Sequence, residues 1–132
     1  MSDENVEAVR RIFAAWSRGN FSDVDWADPE IVFRGADDRL YAGEHRGVEA
    51  MARQWADWLH TMADFRVEAL EYFGRADQVV TFNRFSGTGK ASGVPLGGMA
   101  GACRFALRDR KIVELELYTD RKQALRDAGL ED

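Results

Sequence analysis

The spacing of apolar side chains changes near residue 63, and no other feature of this 132-residue chain limits its fold as much. Upstream, Val6, Val9, Phe13 and Trp16 recur at helical spacing with Ile12 beside them. They predict a helix over Asp3–Ser17, stopped by Gly19 and Asn20. Val48, Met51, Ala52, Trp55, Trp58, Leu59 and Met62 form a second stripe and predict a helix from Gly47 to about Met62. Between them, "FSDVDWAD" reads as a short helix closed by Pro29 and "EIVFR" as a strand. "GADDRLYAGEHRG" offers turn chemistry, with a short strand around Leu40–Ala42. Downstream the period becomes two. "DFRVEALEYF", "DQVVTFNRFSGTG", "GGMAGACRFAL" and "KIVELELYT" are strand candidates joined mostly by short turns. Helices followed by a meander of long strands describe one α+β domain over residues 1–132, in which a curved sheet wraps the helices and leaves a hollow. Asp120 as N-cap and Gly129 as stop mark a closing helix over Asp120–Ala128.

The last two strands decide which side chains face that hollow. "RDRK" suits a three-residue loop closed by Leu107 and Lys111, with Arg110 in the left-handed position. Phe105 then pairs with Val113, Cys103 with Leu115 and Gly101 with Leu117, while Arg104 falls opposite Glu114. A two-residue turn would pair Phe105 with Glu114 and Arg104 with Leu115, mixing the faces. Val113, Leu115 and Leu117 are therefore expected inside, and Glu114, Glu116 and Tyr118 outside.

Composition removes several classes of function. A net charge of −5 is unsuited to a general nucleic-acid surface, which needs clustered Lys and Arg. No run approaches the ~18–20 apolar residues that cross a bilayer, and the acidic start is unlike a signal peptide, so a cytoplasmic protein is expected. The single Cys103 can form no intrachain disulfide, and zinc-ligand clusters are absent. "GTGKASGVPLGG" lacks phosphate-loop and dinucleotide spacing and suits a mobile hairpin at the rim of the hollow.

In motif order the chain resembles the SnoaL-like branch of the nuclear transport factor 2 superfamily. The likeness runs through "AAWSRGN" at the end of the first helix, "DPEIVF" in the first strand and "GVEAMARQW" opening the long helix. It continues through "DQVVTFNRFSGTG" and ends in "RDRKIVELELYTDRKQAL". The resemblance implies a cystatin-like cone, with N-terminal helices packed in the concave face of a strongly curved mixed sheet. It implies a pocket between sheet and helices, and a homodimer through the sheet's outer face. Fold alone does not establish chemistry. Ketosteroid isomerases of the superfamily carry a Tyr near the position of Ile12, a base near Arg34 and an oxyanion donor near Gly101 or Cys103; the cyclase acid-base Asp matches Leu117. None of these positions holds the required group, which disfavours both mechanisms, and no cofactor is expected. Limonene epoxide hydrolases activate water with carboxylates and an Arg, but no inward pair of Asp residues can be assigned here.

The family register turns Val79, Thr81, Asn83 and Phe85 inward. Thr81 and Asn83 thus put a hydroxyl and an amide on the pocket wall, either to orient a ligand or as a core polar pair satisfied by water or backbone. Trp16, Trp55, Trp58, Phe65 and Phe105 are the expected aromatic lining, with Leu59, Leu115 and Leu117 as aliphatic wall and Cys103 as an inert inward thiol. Arg34 at the pocket mouth could clamp a carboxylate; its alternative is an ion pair with Asp28, Asp37, Asp38 or Glu44. His45, before the long helix, becomes a candidate acid or base if it turns inward, whereas His60 lies off the apolar stripe. The expected function is binding or transformation of a small hydrophobic or polyketide-like compound. The alternative is a dimeric interaction module presenting Val80, Phe82, Ala106 and Tyr118 to its partner.

Overall fold

The computed structural model describes residues 2–35, 44–91, 93 and 99–130. Helix α1 (Ser2–Ser17) is followed by strand β1 (Ala27–Arg34), strand β2 (Glu44–Arg46) and helix α2 (Val48–His60). Strands β3 (Met62–Arg75), β4 (Gln78–Gly89), β5 (Met99–Arg108) and β6 (Lys111–Tyr118) then lead to helix α3 (Arg121–Asp127). The strands form one six-stranded sheet in the order β2-β1-β6-β5-β4-β3. All neighbours are antiparallel except β1 and β6, which run parallel. Helix α1 packs on β3 and β4, and α2 on β1, β2 and β3, so both close over the same face of the curved sheet. The α+β cone expected from the sequence is the observed architecture.

Each apolar stripe becomes a buried contact. Val9, Ile12, Phe13 and Trp16 of α1 join Ile31 and Phe33 of β1, Met51 of α2, and Cys103, Phe105 and Leu115 of the sheet in the main core. Removing such side chains from water supplies roughly 1.5–3 kcal/mol each, which holds short helices that would not form alone.

Three local expectations are corrected. Residues 21–28 form no helix. Asn20 Oδ1 accepts from Asp23 N, and Asp23 Oδ1 from Asp25 N, so the Asx side chains capture backbone donors that a helix would need. Strand β1 accordingly begins at Ala27 and includes Pro29. The β5–β6 hairpin turns through two residues, Asp109 and Arg110, both left-handed at φ 52° and 67°, with Arg108 opposite Lys111. A bulge at Val113 then restores the parity that such a turn would break: Phe105 pairs with Leu115 and Cys103 with Leu117. Leu115 and Leu117 keep their expected face, whereas Val113 sits half-buried at the bulge. The strand expected around Leu40–Ala42 and half of the glycine-rich run lie outside the described residues.

The third correction concerns the outer face. Helix α3, N-capped by Asp120 Oδ1 through Lys122 N (2.9 Å) and Gln123 N (3.3 Å), lies over Val80, Ala102 and Tyr118 and buries them with Ala124 and Ala128. Ala106 is buried as well. Much of the apolar surface expected to meet a partner is thus covered by the chain itself.

Candidate functional site

The register arranges the inward side chains in rows across the sheet. Directly paired residues project to one face, so His45, Phe33, Leu115, Phe105 and Val79 form one row. Leu117, Cys103, Thr81 and Tyr72 form the next, followed by Gly101, Asn83 and Ala69. His45 therefore does turn toward the interior, with its ring centroid 6.2 Å from that of Phe33.

Aromatic rings cover the helical side of this wall. Trp16 meets Phe13 edge-on at 4.9 Å and Trp55 at 5.6 Å; Trp55 reaches Phe33 at 5.7 Å, and Phe13 reaches Phe105 at 6.0 Å. At the other end Trp58 meets Phe65 at 5.8 Å, and Phe65 stacks on Phe85 at 6.3 Å. Leu59 is half-buried. Trp26, which the sequence reading placed in a short helix, belongs to the same wall: it stacks on Trp55 at 5.8 Å and meets Trp16 at 6.0 Å. Only its position in the aromatic cluster reveals this, because residues 21–28 carry no period.

Few polar atoms interrupt the apolar surface, and those few are short of partners. Asn83 Nδ2 donates to Cys103 Sγ at 3.0 Å. Asn83 Oδ1, Thr81 Oγ1, His45 Nε2 and Trp16 Nε1 are buried without a hydrogen-bond partner. Burial pushes the Cys103 thiol up to about 12, only partly offset by the Asn83 amide and the neighbouring Thr81 hydroxyl. Among the described residues, the buried polar or charged side chains are Thr81, Asn83 and Arg104, so no carboxylate is buried in this wall. Such a surface can orient a neutral group, and His45 adds an inward imidazole to it.

Arg34 does not join the site. Its backbone pairs with Glu116 and its side chain leaves on the face opposite Phe33, bonding Glu44 at 3.0 Å and Glu114 at 3.3 Å. Alternation along β1 forces this, since Ile31 and Phe33 occupy the core face. The centre of that outer network is Arg104, which the sequence already set opposite Glu114 on this face. Its guanidinium bonds Glu114 (2.9 Å), Glu116 (3.1 Å) and Tyr118 Oη (3.2 Å), and Tyr118 in turn donates to Asp127. Burial works against the Arg104 charge, but these bonds outweigh it and raise its pKa. Burial likewise raises that of Tyr118. A separate open groove of about 390 Å³ lies where α1 meets β3, lined by Asp3, Val6, Glu7, Arg10, Tyr72 and Gly74, with the Arg10 guanidinium 4.2 Å from the Tyr72 ring centre.

Residues 9–115 match the family model described as the SnoaL-like domain. The chain belongs to this family. Solved structures agree on the SnoaL-like fold at low identity. A Burkholderia pseudomallei NTF2-like protein of unknown function is 16% identical, with 97% of this chain and 98% of that one covered and a TM-score of 0.79. A Jannaschia protein classed as a SnoaL-like polyketide cyclase is 20% identical, with 99% and 94% covered and a TM-score of 0.77. A Xanthomonas campestris protein with a cystatin-like fold is 22% identical, with 97% and 98% covered and a TM-score of 0.77. No functionally curated protein matches the SnoaL-like chain.

Proposed function

We propose that this SnoaL-like chain binds or transforms a small apolar or polyketide-like compound between α1, α2 and the sheet, without a metal or redox cofactor. The observation that carries the reading is an aromatic wall in which Thr81 Oγ1, Asn83 Oδ1, Trp16 Nε1 and His45 Nε2 are buried and unpartnered. Buried polar atoms of folded proteins are nearly always satisfied, and several orphans on one greasy surface suit a site completed by a guest. The likeness of fold to a protein classed as a polyketide cyclase suits a flat guest. His45 is the residue that would move a proton if the bound compound reacts. Covered by α3, Val80 and Tyr118 leave the interaction-module alternative without most of its apolar contact surface.

The test is a tryptophan fluorescence titration with flat aromatic probes, naphthalene and anthraquinone. Saturable quenching at micromolar concentration, weakened by Trp55→Leu, is expected, because Trp16, Trp26 and Trp55 are in mutual contact. Unchanged emission with every probe up to its solubility would sink the reading. A homodimer through the remaining outer face of the sheet is proposed with it.

A further inference from the structure

We propose that Thr81 and Asn83 form a subsite for a ligand hydroxyl, so that the compound taken by this chain presents a phenol or enol O–H at its buried end. This rests on the reading of the inner wall as a small-molecule site and adds the chemical class of the ligand.

Both side chains are completely buried, at 0% exposure. They stand two residues apart on β4 and therefore share a face, with Cys103 directly across from Thr81. The Asn83 amide is oriented by its Nδ2 bond to the Cys103 sulfur, which turns Oδ1 away as a free acceptor. The Thr81 hydroxyl, also unpartnered, can donate and accept. A guest that satisfies both must offer a proton to Oδ1 and a lone pair to the Thr81 hydroxyl. A hydroxyl does this with a single atom. A carbonyl or ether oxygen only accepts and leaves Oδ1 unpaired. An ammonium or carboxylate would bring a charge to a place where burial keeps even the thiol protonated.

The surroundings select a flat carrier for that hydroxyl. Gly101, paired with Asn83, lets the Phe85 ring lie on the sheet: a Cβ at Gly101 would stand 2.8 Å from Phe85 Cε2. Phe85 in turn stacks on Phe65, so the free acceptor sits beside an aromatic platform. A phenol or enol places its O–H in the plane of such a platform, which a branched aliphatic alcohol does not.

Equilibrium dialysis of the intact chain against four probes of one shape tests the subsite: naphthalene, 2-naphthol, 2-methoxynaphthalene and 2-naphthaldehyde. The expected result is 2-naphthol bound roughly 10-fold tighter than the other three, a difference of ~1.4 kcal/mol. Thr81→Val and Asn83→Leu should each remove most of that preference, so that within each variant 2-naphthol binds no more than about 2-fold tighter than naphthalene, with thermal melting confirming that the variants fold. The wild-type series stands alone if they do not. Equal binding of all four probes overturns the hydroxyl subsite and leaves the apolar site intact. Tighter binding of the aldehyde overturns it too, by showing that the subsite prefers a group that only accepts. Binding of none overturns the small-molecule reading and this inference together.

Discussion

At the Cys103 sulfur, burial outweighs hydrogen bonding. Asn83 stabilises the thiolate only in part, so the group stays protonated until about 12. The folded chain should therefore resist an aromatic disulfide reagent at pH 8, and the same chain in denaturant should react at once; thiol release followed by absorbance checks this. Equal rates in the two states would show that the site opens. On the outer face the balance is reversed. The Arg104 bond holds the Glu114 carboxyl below its usual range against the opposing effect of burial, and Arg34 adds to it. A carboxylate depressed in the folded state stabilises above its unfolded value and loses that contribution as pH falls through the folded value. Arg104→Met should cost about 2 kcal/mol near neutrality, less than a fully buried pair because Glu114 and Glu116 keep some solvent contact. The gap between variant and wild type should narrow as pH drops below 4.5, the ordinary value from which Glu114 is lowered. Urea unfolding across that range measures it, and a gap independent of pH would contradict the assignment. Cross-strand spacing on its own made an Arg104–Glu114 contact legible. The Arg34–Glu44 pair was likewise among the alternatives the sequence offered; that Arg34 also joins the Arg104 cluster was not, because Glu114 and Glu116 lie on β6, far from it in the chain.

Among the elements, regular ones were readable and irregular ones were not. The stripes of α1 and α2 and the alternation of β3 to β6 announce themselves, because each element buries one continuous face. Residues 21–28 misled because an aromatic-rich stretch with Asp and Ser can satisfy its backbone through side chains instead of helical bonds. The β5–β6 hairpin misled in a different way. Face pairing required an odd residue somewhere, and the chain places it at Val113 instead of in the loop. Its two-residue turn puts non-glycine residues at φ 52° and 67°. Arg110→Gly should therefore raise stability by about 1 kcal/mol, since the Arg110–Glu4 ion pair it removes is largely exposed and worth little. A decrease in a thermal or urea melt would show that the turn is not strained.

Across the whole molecule, one sheet serves two environments. Its concave face carries the aromatic core beneath α1 and α2; its convex face carries α3 and the Arg104 network. Leu70, 43% exposed, is the one large hydrophobic exposed among the described residues. The proposed homodimer must accordingly rest on polar contacts around Arg34, Glu44, Glu114 and Glu116. Such an interface should weaken with salt as the screening length falls from about 8 Å at 0.15 M to about 3 Å at 1 M. Sedimentation velocity at micromolar concentration should show a dimer that dissociates at the higher salt; monomer under both conditions removes the proposal.

The greasiness of the inner wall was already written into the chain, since a strand with period two must send Leu115 and Leu117 one way and the neighbouring glutamates the other. What needed three dimensions was the choice of neighbour: Arg34 drawn outward by acids from other strands, Trp26 drawn inward to other indoles, and α3 folded back over the convex side. These contacts join residues distant along the backbone, where no local period can encode them.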